Sequence, residues 1–233
     1  EIAPLLFRVL NVTRPDDVPV IVMPEDTITP GTFAQRCLEV MRREVDASPV
    51  KNVFGKLVHV PTDPQIAKYF SGAVRDYAGI GRRSLGISSG NYCAVFQGWV
   101  EHQAKLPGEN VHAWRGGAKR ELITDGVAMG TWTAVRPVEV LKRTHAYVPG
   151  TIIELNYVPA PGDLAIYDRP LKSGRSSWYG HVDRVEKVLS PTTYETTGGN
   201  EHFWRHGEPN GFRTELLERD HPNLLGFRRA IAA

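Results

Sequence analysis

Hydrophobic and polar positions along the chain switch between a period near two and a period near 3.6. Leu5–Val12 and Val18–Met23 are β-type runs, and Arg14-Pro15-Asp16-Asp17 between them is turn chemistry, so a hairpin is expected. After Pro30-Gly31-Thr32, Phe33, Cys37, Val40, Met41 and Val45 recur at helical spacing, with Gln35, Arg36, Arg42, Arg43 and Glu44 elsewhere on the surface. Cys37 lies on that apolar stripe and reads as a core residue, because free cysteine is among the most buried residue types. Lys56–Val60 reads as a short strand. Pro61-Thr62-Asp63-Pro64 opens a helix with Asp63 as cap and Pro64 at the first helical position. Ile66, Tyr69, Phe70, Ala73, Val74 and Tyr77 give that helix a core face, and Gly79, Gly81 and Gly86 end the pattern.

The stretch Ser88–Val100 passes from a polar, glycine-containing loop into an apolar segment. From Cys93, the positions three, four and seven residues on are Phe96, Gln97 and Val100, one helix face with a polar Gln set into it. Ser88, Ser89 and Asn91 are N-cap candidates, so Cys93 is expected in the first turn. Unpaired N–H groups and the helix dipole favour an anion there, and a thiolate is a strong nucleophile. The helix stops at Leu106-Pro107-Gly108. Ala118–Ile123 reads as a short helix closed by Asp125-Gly126, and Met129–Val135 as loop then strand.

Pro159–Asp163 is a turn and Leu164–Tyr167 a buried strand. The Lys172–Ser177 loop leads through Trp178-Tyr179-Gly180 to His181. Val182, Arg184, Glu186 and Val188 then alternate with Asp183, Val185 and Lys187, so a strand starts at His181. Thr192–Thr196 is the next strand, ending at Thr197-Gly198-Gly199-Asn200-Glu201. That hairpin places His181 near Asn200, a base beside an orienting polar group. Leu224–Ile231 reads as a last strand, with Arg228 and Arg229 solvated at its ends.

Composition narrows the classes. The 233 residues, 41% hydrophobic and 23% charged, describe an ordinary globular chain, with no apolar run long enough to span a membrane. Glu1-Ile2-Ala3-Pro4 does not read as a signal peptide. Net charge is +2 and the pI about 8.6, which tolerates a polyanionic partner without demanding one. No Lys/Arg stripe with interleaved aromatics appears, so nucleic acid is not an expected partner. The two cysteines, Cys37 and Cys93, form neither a disulfide framework nor a zinc-type pair. His102 sits nine positions after Cys93, turns away along a straight helix. His202 and His206 have metal-like spacing, but Gly207 and Pro209 oppose a helix there. His59, His112, His145 and His221 read as surface or loop residues. Trp114, Trp132 and Trp178 are candidates for lining a saccharide- or peptide-binding groove.

A Cys at a helix start, then Pro161-Gly162-Asp163-Leu164-Ala165-Ile166-Tyr167, then Gly180-His181-Val182, then Gly198-Gly199-Asn200, resembles the CHAP domains. These are papain-like cysteine amidases and endopeptidases that cut bacterial peptidoglycan, many of them in phage lysins. The likeness covers roughly 79–233, with 1–78 an N-terminal extension packed on the same core. It departs from the family at Asp183-Arg184, where apolar residues are usual, and in the long stretch between Val100 and Pro159. The resemblance implies an α+β, papain-like fold in which a nucleophile helix packs on an antiparallel sheet. It implies Cys93 as nucleophile and His181 as base and then acid. Asn200 would orient the imidazole, with Glu195 as a second candidate, and Tyr92 with the Cys93 N–H would form an oxyanion hole. No cofactor or metal is implied, and the implied partner is the cell wall, reached by a secreted, periplasmic or phage-delivered protein. Two competitors remain: a non-catalytic wall-binding or phage structural module on this scaffold, and a zinc amidase using His181, His202 and His206.

Overall fold

The structure is a computed structural model. It describes residues 31–53, 56–70, 92–112, 117, 119–170, 173, 176, 180–201 and 211–232. The hairpin expected at Leu5–Met23 and the approach to Cys93 lie outside these residues.

Among the described residues the chain is mixed α+β. The helices are α1 (Phe33–Asp46), α2 (Asp63–Phe70), α3 (Cys93–Ala104), α4 (Arg120–Ala128) and α5 (Val138–Arg143). The strands are β1 (Val50–Val53), β2 (Lys56–His59), β3 (Trp132–Ala134), β4 (Ile152–Ile153), β5 (Leu164–Tyr167), β6 (His181–Val188), β7 (Thr193–Glu201), β8 (Gly211–Glu218) and β9 (Leu224–Arg228). They form one open sheet in the order β1-β2-β8-β7-β6-β5-β9-β3-β4, antiparallel except for the β3–β4 pair. No helix among the described residues is long and apolar enough to cross a membrane.

Local chemistry explains the α1 boundary. Thr32 is its N-cap and accepts the Gln35 N–H at 3.3 Å, while Gln35 Oε1 accepts the Gly31 N–H at 2.9 Å. One orphan donor of the helix is thus capped, and the Gln35 side chain reaches back past the cap to the preceding N–H, as a variation on the capping box. Phe33, Cys37, Leu38 and Met41 on its buried face join Tyr69, Tyr92, Phe96 and Phe212 in one core cluster.

The central pair β5–β6 is covered on both faces. Val182 belongs to the cluster that holds Cys93, Ala94, Leu164 and Ile166, and Arg184 bonds to α3. Val185 belongs to the opposite cluster, with Ala165, Tyr167, Tyr194 and Phe227. Strand alternation therefore turns Val182 and Arg184 toward α3, and His181, Asp183 and Val185 away from it.

The helix–sheet interface holds a buried charge cluster. Arg184 Nε donates to Gln97 Oε1 at 2.9 Å and Nη1 to the Gly162 carbonyl at 2.7 Å. Glu101 Oε1 accepts Arg228 Nη2 at 2.5 Å, with Arg184 Nη2 at 3.4 Å. Burial raises the Glu101 carboxyl's affinity for a proton, but the two guanidiniums outweigh it and hold the pKa below the ordinary value. Arg228, expected in solvent, is 1% exposed. The polar Gln97 on the apolar face and the charged Arg184 in a buried strand are explained together, since each is the other's partner. The turn before β5 is fixed by Asp163, which accepts the Ala160 and Ala230 N–H groups at 2.9 and 3.0 Å.

Candidate active site

The site is built at the start of β6. Gly180 enters the strand at φ 61°, and a Cβ there would lie 2.5 Å from the Tyr167 carbonyl oxygen, so this position requires glycine. His181 follows, 6% exposed, directly opposite Tyr167 in the β5–β6 ladder. Two residues on, and so on the same face, stands Asp183. His181 Nε2 lies 2.8 Å from Asp183 Oδ1, a close contact that is not aligned as a hydrogen bond. Such contacts commonly tighten only when a substrate is bound.

Asp183 sits where it does because β7 has no side chain opposing it. A Cβ on Gly198 would fall 1.7 Å from Asp183 Oδ1, and one on Gly199 2.6 Å from the Tyr92 ring on the other face. The glycine pair, expected to end a strand, instead lies inside β7. It lets a carboxylate approach one face and an aromatic ring the other.

His181 and Asp183 open into a groove of about 410 Å³ shared with Tyr167, Asp168, Thr196, Arg213, Glu215 and His221. The His181 and His221 rings each lie 5.9 Å from the Tyr167 ring, the second edge-on. His221 Nδ1 accepts the Asn223 N–H at 3.3 Å. Burial first, and the nearby Arg136 second, lower its pKa below the ordinary value. Asp168 ties the groove to the fully buried Lys119, whose Nζ donates to Oδ1 at 2.6 Å.

Cys93 is the first residue of α3, as the helical spacing predicts, and is 5% exposed. The N-cap is Tyr92, with no side-chain cap bond, in place of Ser88, Ser89 or Asn91. The described geometry does not bring Cys93 and His181 onto one face. Cys93 shares the core cluster of Val182, on the α3 side of β6, whereas His181 faces the groove. Tyr92 is wholly buried, its ring packed near Tyr69 and Phe212. Glu195 does not meet His181: it forms a surface pair with Lys187 at 2.8 Å. Trp132 is 1% exposed and belongs to the core rather than to a groove wall. The Asn200 backbone is in β7, but its side chain lies outside the described residues, as do Trp114, Trp178, His202 and His206.

Asp183 is the member that sequence reasoning passed over. Its signal was present as a His-X-Asp spacing on a strand, which puts an imidazole and a carboxylate on one face. Lys119 and Asp168 carried no such signal, since they are far apart in sequence. Searches against family models, curated proteins and solved structures return no match for this chain.

Proposed function

We propose that the protein is a papain-like hydrolase that cleaves an amide bond of bacterial peptidoglycan. Cys93 is the nucleophile, His181 the base and then the acid, and Asp183 orients the imidazole, the role first assigned to Asn200. The observation that carries this reading is the His181–Asp183 contact of 2.8 Å at the edge of an open groove. It is supported by the position of Cys93 at the head of α3, in the cluster of the residue next to His181. In the reaction, the thiolate adds to the amide carbonyl and the amine leaves with a proton from His181. Water then hydrolyses the thioester with His181 as base. This sequence requires the imidazole to turn around the start of β6 toward α3. The protein acts at the cell wall, delivered by secretion, to the periplasm or by a phage.

A second reading is favoured by the alternation of β6. With Cys93 on the far face, His181 and Asp183 activate a water molecule in the groove, and no covalent intermediate forms.

Turbidity of purified sacculi distinguishes these readings. The first expects clearing by wild type that is lost in Cys93→Ser and after iodoacetamide, survives EDTA, and falls about 10²- to 10⁴-fold in Asp183→Asn. Clearing that survives in Cys93→Ser but is lost in Asp183→Asn sinks the cysteine mechanism and favours the water mechanism. Clearing abolished by EDTA alone returns the zinc alternative. Sacculus binding without clearing makes the protein a wall-binding module.

A further inference from the structure

The groove that His181 faces holds no thiol among its described lining residues, but a hydroxyl is bonded to one of them. Ser176, half-buried, is set beside the end of β5 by a bridge to Pro170. Its Oγ accepts a hydrogen bond from Lys119 Nζ at 2.7 Å. The same Oγ lies 2.8 Å from Asp168 Oδ1 and 3.0 Å from the Thr144 carbonyl, either of which takes its single proton. Lys119 is 0% exposed, and its ammonium also donates to Asp168. Asp168 lines the groove with His181.

We propose that Ser176 is a second nucleophile of this protein, with Asp168 as its base and Lys119 as the cation beside its oxygen, acting on a carboxylic ester or amide that enters at the Asp168–Pro170 end of the groove. The two requirements of an activated hydroxyl are met at hydrogen-bond distance: an acceptor for the proton and a fixed positive charge beside the oxygen. In the step, the hydroxyl proton moves to Asp168 Oδ1 while Ser176 Oγ bonds to the acyl carbon, and the carbonyl π pair moves to the acyl oxygen. The Lys119 ammonium stays charged and favours loss of the proton from Oγ before that bond forms. On collapse, the pair on the acyl oxygen re-forms the carbonyl, the bond to the leaving alkoxide or amine breaks, and Asp168 returns the proton to it. Water, losing its proton to Asp168, then adds to the acyl carbon, and Ser176 Oγ leaves and takes that proton back as the carboxylic acid is released. Burial lowers the Lys119 pKa despite the Asp168 carboxylate beside it, so its charge is sensitive to that partner. Neither Cys93 nor His181 takes part in this step, and Ser176 meets the groove through Asp168.

The test uses a fluorophosphonate probe on the full chain, read by intact mass and peptide mapping. Labelling forms the Ser176 Oγ–phosphorus bond, releases fluoride and passes the hydroxyl proton to Asp168. The expected result is one adduct on Ser176 in wild type and equally in Cys93→Ser, none in Ser176→Ala, and labelling slowed about a hundredfold in Asp168→Asn. Because Lys119→Met leaves Asp168 buried without its partner and is at risk of misfolding, the near-isosteric Asp168→Asn carries the argument, with circular dichroism to confirm its fold. No adduct on Ser176 at neutral or alkaline pH overturns the proposal. Labelling of Asp168→Asn at the wild-type rate overturns the assignment of the base. Sacculus clearing does not enter the test, so failure here leaves the peptidoglycan reading standing, and the reverse also holds.

Discussion

Two buried titratable groups near α3 predict a pH dependence that is hidden in the wild type and exposed by single substitutions. His112 is 1% exposed, with Nε2 3.0 Å from Thr131 Oγ1 and Nδ1 3.7 Å from Glu101 Oε2. Burial first, and Arg228 second, push its pKa down from 6.5 to about 4. Its contribution to stability is therefore present above pH 6.5 and lost as pH falls toward 4. Asp163 shifts the other way, because burial outweighs its N–H donors and raises it from 3.8 to about 6. Its contribution is present below 3.8 and lost as pH rises through 6. One unit is worth about 1.4 kcal/mol, so each group contributes roughly 3 kcal/mol, with opposite sign, over nearly the same window. The wild type is expected to show little net slope from this pair. Urea midpoints taken across the window for wild type, His112→Gln and Asp163→Asn test this. Asp163→Asn carries a fixed cost from its lost acceptor, so the slope of the difference from wild type is read, not the offset. That variant should gain stability relative to wild type as pH rises, and His112→Gln should lose it, each by roughly 3 kcal/mol. Difference curves that are flat across the window refute the reasoning for the group concerned.

Further outcomes follow from the same packing. Gly198→Ala puts a Cβ 1.7 Å from Asp183 Oδ1, so it should destabilise the fold by about 1–3 kcal/mol. Adding Asp183→Ala should recover part of that loss in a thermal melt; a double variant no more stable than Gly198→Ala would disprove the clash. Glu101→Ala leaves the Arg184 and Arg228 guanidiniums buried without their carboxylate, an expected cost of about 3–5 kcal/mol by urea titration. A loss below about 1 kcal/mol would mean that water reaches this cluster. Glu195→Ala should change stability by less than about 1 kcal/mol, because its pair with Lys187 is a surface one.

Much of the architecture is legible where spacing is strong and one-sided. The strand Leu164–Tyr167, the start of β6 at His181, and the helices from Phe33 and Cys93 fall where the hydrophobic period puts them. β8 was not legible: Gly211–Glu218 carries Arg213, Glu215 and Glu218, and its burial alternates only weakly. β1 has an exposed Val50 and no apolar face to announce it. By sequence Arg228 reads as solvated, because a charge at a strand end usually is. Its partner Glu101 is 127 residues away, beyond the reach of any local pattern.

The candidate site fails to be legible for a different reason, which lies in parity. A strand with one wet face declares its inward side, but His181 through Val185 are all buried. Alternation then pairs His181 with Asp183 and Val182 with Arg184 without saying which pair meets α3. The choice is made by α3 itself. Cys93, Gln97 and Glu101 recur every four residues along one side of that helix. The buried Glu101 carboxylate demands cationic partners, and Arg184 joins Arg228 in supplying them while it donates to Gln97 Oε1. Once Arg184 faces α3, Val182 must face it too, and His181 and Asp183 are sent to the groove on the far side. The bonds of Arg184 to α3 are thus the element that turns His181 and Asp183 to the face away from Cys93. The same parity places His181 in the groove of Asp168, the partner of Lys119 and Ser176.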